Sequence, residues 1–478
     1  MFTKEAVSLL QLPDSCLVAV LRCCAGDHRS VCSAARAHSR LHQAAVEAHS
    51  SITLETDDME RVKGLLLYLH DQGKHVDSIS LASQSKVPTV GLCFLPNRLQ
   101  RLSSLTCERL YVQLLHCAAY PFQGVLGGAA AAALKQLRLK DCELEAAGSL
   151  AAALAQLPDL QHLSIDHVNP YDSEIEVQML QKLTCLELAA SSLQPNGEAI
   201  PALQRLRDLT ALVDLRLSSD STYSITASML SGLQHLTRLH LRQAELPGRG
   251  WGFARHEHFD LEPAALSGKT QLQHLELCNC YATGGAAGEG QLLARLGELQ
   301  QLTYLSVQGS LHNPGVAPST ISAAAYSALT ASSQLQHLDV NSCRFPECAW
   351  EHMLPDGKQL PCLKVLYATH NPELNRIVSC CPGVTSVGSG PDGLISIELL
   401  LSAMKWFAAQ GRLPGIRSCG QQIQVVADAF EAAERMLAAQ GNSSGVATAT
   451  NGVAATDSAA TVPDPTHAQG APDDAANT

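Results

Sequence analysis

Three histidines, His162, His274 and His337, occupy the same slot of a phrase that recurs along the chain, and imidazole is the commonest protein ligand for metals. Their spacing argues against one shared ion. If successive phrases form adjacent strands about 4.8 Å apart, His274 and His337 stand two strands, on the order of 10 Å, from each other, whereas a zinc ligand sits about 2 Å from the ion. His162 is farther still, so the three read as solvated side chains on an open face. A second stretch, His256-Glu257-His258-Phe259-Asp260, offers an H-x-H-x-D triplet without a matching partner elsewhere. With Trp251 and Phe253 it reads as a surface loop that touches a partner. Cys23-Cys24, Cys278/Cys280 and Cys380-Cys381 lack the paired C-x-x-C spacing of structural zinc sites. No metal and no cofactor is therefore assigned. The chain also has no Walker A loop, no G-x-S-x-G, no H-E-x-x-H and no G-x-G-x-x-G after a strand, so no catalytic residue is assigned and the protein is not expected to be an enzyme. The glycine-rich run Thr283 to Gly288 reads as a flexible segment.

What positions these side chains is the phrase itself, LxxLxL, found nine times from Leu134-Leu137-Leu139 to Leu363-Leu366-Ala368 at intervals of 23 to 36 residues. Its last two apolar positions alternate with polar ones, as a half-buried strand requires, and the first turns the chain inward ahead of the strand. One unit buries its leucines only against its neighbours, so the units must stack into a parallel sheet, with helices or irregular segments on the opposite side. The Ala-rich stretches Leu144 to Leu157 and Ile321 to Leu329 read as such helices. The phrase resembles the leucine-rich repeat family. That resemblance implies an α/β solenoid, a horseshoe with a parallel concave sheet, and a small residue three positions past each strand, inside the bend. Here that slot holds Cys142, Ser191, Ala244, Cys280, Ser310, Cys343 and Asn371, which makes the cysteines ladder residues and not ligands.

The 478 residues divide into five stretches. Residues 1–50 are not repeat-like, 51–133 carry degenerate first repeats, and 134–390 hold the leucine-rich repeats. Residues 391–440 form a helical cap, with an apolar stripe at Ile423, Val426, Phe430, Ala433 and Leu437 and an earlier helix over Leu394 to Ala409. Residues 441–478 contain no Lys or Arg and too little apolar surface to offset their ordering entropy, so they are expected to be a disordered tail. The N-terminal stretch opens at Leu12-Pro13-Asp14 and continues in two helical patterns ending near Arg36 and Arg40. It resembles the F-box, a three-helix motif that docks on the Skp adaptor of cullin-RING ubiquitin ligases. The resemblance implies Leu12, Pro13, Leu17, Val20 and Leu21 as adaptor contacts. The same helices also suit a second role, as a cap on the first coil of the solenoid.

A formal charge of -12 argues against nucleic acid as a partner, since phosphate backbones need a concentrated basic face. The longest Ala/Gly/Leu run, Gly124 to Leu134, is far short of the ~20 residues that span a bilayer, so no membrane association is expected. Seventeen unpatterned cysteines and no hydrophobic leader point to a reduced cytoplasmic protein, with the nucleus or the ciliary axoneme as alternatives. The expected working surface is the outward strand face carrying Arg138, Arg216, Arg238, His240, Arg242, Tyr304 and Tyr367. Arg and Tyr dominate binding hot spots, and this face would take a protein partner. The competing reading is a salt-bridged, solvated sheet in which Arg216 pairs with Glu187 and Arg238 with Asp214 and Glu276. The function that follows is a substrate receptor of an SCF-type ubiquitin ligase, monomeric outside its complex, or else a scaffold without that role on a cytoskeletal or ciliary structure.

Overall fold

The computed structural model describes residues 9–23, 28–48, 50–86, 88–96, 98–114, 125–126, 132–144, 149–168, 180–190, 205–219, 223–243, 258–311, 321–343, 345–346, 348–368, 380–388 and 395–396. The chain divides into two units, Met1–Val426 and Ala427–Thr478, and the second lies outside the described residues together with the expected tail. Most of the expected helical cap, the Trp251 to Glu257 part of the long insertion, and the slots Ser191, Ala244 and Asn371 also fall outside them.

Alternation of buried and outward residues produces one 14-stranded sheet in the first unit. Its strands are β1 (Ser51–Glu55), β2 (Ser78–Ala82), β3 (Ser104–Glu108), β4 (Gln136–Lys140), β5 (His162–Asp166), β6 (Cys185–Ala190), β7 (Asp214–Ser219), β8 (Arg238–Gln243), β9 (His274–Cys278), β10 (Tyr304–Ser306), β11 (His337–Asp339), β12 (Val365–Tyr367), β13 (Ser386–Gly388) and β14 (Ile395–Ser396). Spatial order follows sequence order, every pairing from β1 to β13 is parallel, and equivalent leucines stand opposite one another, as Leu215, Leu239 and Leu275 do. All three apolar positions of all nine phrases are buried. This is the single unbroken interior that the repeat demands, and the architecture is an α/β leucine-rich repeat solenoid. Two short three-stranded parallel sheets, Gly91–Leu92 with Tyr111–Val112 and Glu143–Leu144, and Tyr223–Ile225 with Phe259–Leu261 and Cys280–Ala282, pair the segments that follow the strands.

Two local expectations are corrected and a third is refined. Residues 395 and 396 pair antiparallel with β13 where a helix was expected from Leu394. Of the two Ala-rich stretches expected to be helical, Ala323–Thr330 winds as a 3-10 helix, which covers more length per residue than an α-helix, and the described part of Leu144 to Leu157 carries the α-helix Ser149–Leu154. Thr283 to Gly288 is the start of a regular helix, Gly285–Glu298, whose N-cap Gly284 has φ +92°. Leu292, Leu293 and Leu296 bury one face of that helix, so the glycines serve an entry turn.

Six of the described bends after a strand repeat one backbone device. Arg109, Asp141, His167, Asn279 and Ser342 all have φ near +50° to +60°, and Gly309 has φ +66°. In the well-formed units this left-handed residue immediately precedes the ladder slot and turns the slot side chain inward. Cys142 Sγ donates to the Cys107 and Lys140 carbonyls (3.3 Å each), Cys280 Sγ to the Leu241 carbonyl (3.3 Å), Ser310 Oγ to the Leu277 carbonyl (2.7 Å) and Cys343 Sγ to the Val307 carbonyl (3.1 Å). The ladder thus satisfies carbonyls that the turn leaves open. Burial drives the Cys142 thiol up to about 11 and Cys343 up to about 12, which keeps them protonated donors, the opposite of what a metal ligand needs.

At the N-terminus three helices, α1 (Asp14–Cys23), α2 (His28–Ala37) and α3 (Ser39–Ala48), form a small bundle. Leu17, Val18, Leu21, Leu41, Ala44, Ala45 and Ala48 make its core, with Leu10 and Leu12 packed against it. Arg40 ties the entry turn to α3, donating to the Leu10 carbonyl (2.6 Å), the Leu12 carbonyl (3.0 Å) and Asp14.

Candidate functional site

The outward positions of β4 to β12 bring the seven expected face residues onto one side of the sheet. Between these arginines and tyrosines runs a feature that the sequence reading missed. Five rings stack along the face in the order His240, His274, Tyr304, His337, Tyr367, with centroid separations of 4.4, 3.9, 4.2 and 5.2 Å. Register explains it. His274, Tyr304 and His337 lie directly opposite one another on β9, β10 and β11, while His240 and Tyr367 sit one outward position further along β8 and β12 and meet the row diagonally. Aromatic pairs directly across or diagonal on a sheet face are within stacking reach. The signal available in the sequence was a ring at the first outward position of three successive phrases.

The row is only partly open to water, which corrects the reading of His274 and His337 as solvated. Both are half-buried. Burial holds the His274 imidazole down at about 4 and pushes His162 and His337 below their ordinary range, so His274 stays neutral at physiological pH. Burial raises Tyr304 to about 12. The Nε2 atoms of His240, His274 and His337 are all buried without a hydrogen-bond partner among the described residues. Such an orphaned nitrogen carries a desolvation cost of about 1–3 kcal/mol.

The arginines are largely neutralised. Arg216 forms a two-pronged pair with Asp214 on its own strand (2.9 and 3.1 Å), Arg238 also approaches Asp214 (3.7 Å), and Arg138 reaches Glu187 (3.3 Å). The salt-bridged alternative therefore describes these side chains, with Glu187 serving Arg138 and not Arg216. The hydrogen bonds to Asp214 raise the Arg216 guanidinium above its usual range. Arg242 is exposed and has no carboxylate within 4 Å among the described residues. His240 Nδ1 lies 3.0 Å from Glu276 Oε2, and this bond holds the Glu276 carboxyl below its ordinary value. His258 and Asp260, the described part of the H-x-H-x-D triplet, contact each other at 3.1 Å, so each already has a polar partner.

The five residues carried over from the F-box pattern separate into two groups. Leu17 and Leu21 are 0% and 4% exposed in the bundle core, so they hold the helices together and cannot touch another protein while the bundle is closed. Pro13 and Val20 face outward, and Leu12 is half-buried. No described helix is long and apolar enough to cross a membrane.

The chain matches no protein-family model and no curated protein. Solved structures do match. An internalin from Listeria monocytogenes is 15% identical over 70% of this chain and 88% of its own, with a TM-score of 0.38. The functional domain of InlJ from the same organism, described as including a cysteine ladder, is 14% identical over 72% of this chain and 64% of its own, with a TM-score of 0.36. A leucine-rich repeat protein of Leptospira interrogans is 15% identical over 73% of this chain and 91% of its own, with a TM-score of 0.31. At such identities and scores, any statement about function rests on this chain's own residues.

Proposed function

We propose that this chain is a non-catalytic interaction protein that captures a protein partner on the outward face of β7 to β12. The observation that carries the reading is the stacked row from His240 to Tyr367, flanked by paired arginines. It is a pre-ordered strip of half-buried rings, three of which carry a buried imidazole nitrogen without a partner among the described residues, and such a strip suits a binding hot spot better than an inert solvated sheet. Because the rings are already locked by one another, little side-chain entropy remains to be lost when a partner docks. The compensated arginines act as a polar rim that selects by charge pattern more than by bulk attraction. Proximity labelling with the full chain identifies the partner, and pull-down with Tyr367→Ala and Arg242→Glu tests the face. Loss of a hot-spot ring costs about 2 kcal/mol or more, roughly thirtyfold in Kd. Unchanged recovery with both variants refutes this face.

For the N-terminal bundle the finer reading is an adaptor dock that makes the protein a substrate receptor of an SCF-type ubiquitin ligase. What supports it is a self-contained three-helix core ahead of the repeats. The burial of Leu17 and Leu21 favours the second reading, a structural cap on a scaffold. Val20→Asp separates them, since Val20 is 39% exposed and its loss leaves the core intact. An adaptor that co-purifies with the native chain and not with the variant supports the receptor, and no adaptor in either leaves the scaffold.

A further inference from the structure

One cluster in the row has a composition that partner docking does not require. His240, His274 and Glu276 each offer a ligand atom, and the three lie within 4.8 Å of one another. We propose that they form a binding site for one divalent transition-metal ion of the zinc class, seated on the strand face between β8 and β9. The sequence reading dismissed histidine ligation by testing His162, His274 and His337, which are too far apart. The trio that folding assembles differs, because His240 and Glu276 are 36 residues apart along the chain and meet only through the β8–β9 register, His240 opposite Glu276 and Arg238 opposite His274.

Independent features of the geometry support it. The Nε2 atom of His274 is buried and unpartnered among the described residues, so this imidazole nitrogen has no competing hydrogen bond to give up. His240 Nδ1 lies 3.0 Å from Glu276 Oε2, the separation of two neighbouring ligand atoms on one ion, so a bound metal would take the place of the proton they share. His274 is clamped between His240 and Tyr304, at 4.4 and 3.9 Å, so its ring is pre-ordered. Bonds of about 2.1 Å in a tetrahedral site hold ligand atoms about 3.4 Å apart, so atoms now within 4.8 Å of one another close by up to about 1.4 Å around an ion, a movement that side-chain torsions supply. Two imidazoles and one carboxylate suit Zn²⁺, Co²⁺, Ni²⁺ or Cu²⁺, whereas Mg²⁺ and Ca²⁺ demand mostly oxygen. Since the trio supplies three ligands, the fourth position stays open to water or to a donor from a docked protein.

The test uses the full, tag-free, metal-stripped chain without any partner, so its outcome is independent of the docking proposal. Equilibrium dialysis with Zn²⁺ and visible spectroscopy with Co²⁺ should show one equivalent bound, with the d–d bands of a nitrogen/oxygen site. His240→Phe and His274→Phe keep a ring in the row and remove the ligand, and each should weaken binding at least tenfold. His162→Phe, on the same sheet face but outside the row and the trio, should leave it unchanged and controls for folding. Absence of binding at about 100 μM metal overturns the proposal. So does affinity that survives both His240→Phe and His274→Phe, or a thiolate-to-cobalt charge-transfer band in place of the expected spectrum, which would assign the ion to free cysteines.

Discussion

Replacing His274 by Phe should remove one specific component of the protein's acid sensitivity. Burial depresses the His274 imidazole from 6.5 to about 4 in the folded chain, while the unfolded chain titrates near 6.5. Between those values the unfolded state binds a proton that the folded state refuses, so stability from this group is fully present above about pH 6.5 and is lost as pH falls toward 4. The shift converts to about 3 kcal/mol as an upper bound and to about 2 kcal/mol once the ring's partial exposure is discounted. Phe preserves the stack on Tyr304 and carries no proton. His162 and His337 are shifted in the same direction, Glu276 is held down by His240 and loses stability below about 4.5, and burial raises Asp339, which acts in the opposite sense. These groups remain in both proteins, so the difference between native chain and variant isolates His274. Urea unfolding followed by circular dichroism at pH 7, 6, 5 and 4, with a chelator present, reads that difference. It should shrink by about 2 kcal/mol across the window. A difference that stays constant with pH, or a His274 titration above pH 6 by NMR, would refute the argument that burial in the row governs this ring.

Leu239→Ala, at a fully buried position in the middle of the ladder, should cost about 2–5 kcal/mol in urea unfolding, while Leu67→Ala, at a position 70% exposed, should stay within about 0.5 kcal/mol. Gly309→Ala forces a Cβ onto a residue at φ +66° and places it 2.4 Å from Asn279 Oδ1, so a loss of about 1–2 kcal/mol from the backbone alone is expected, measured by thermal denaturation. Cys343→Ala deletes the thiol that caps the Val307 carbonyl. It should lower stability by about 1–2 kcal/mol, whereas Cys362→Ala, exposed on the surface, should change nothing measurable.

How much of the molecule is legible in its residues divides along one physical line. A strand exposes alternate residues to opposite faces, so the LxxLxL phrase already states which side chains are core and which are outward, and the short stretch after it marks the bend with its small slot residue. Those statements are local, and Leu215, Cys280 and Arg238 stand where local periodicity puts them. Which outward residues become neighbours is a different matter. It depends on register between strands separated by loops of unequal length, and on whether a ring meets its neighbour straight across or diagonally. Arg216 turns to Asp214 on its own strand although Glu187 stands directly opposite it, and Glu187 is taken by Arg138 and Ser164. Leu17 and Leu21 are adaptor contacts only by resemblance to the F-box, which names an apolar helix face without revealing what covers it, and the third helix packs over theirs. The ring row and the His240, His274 and Glu276 cluster belong to the same category. Periodicity along the chain assigned their face, and only stacking of the coils brought their atoms together.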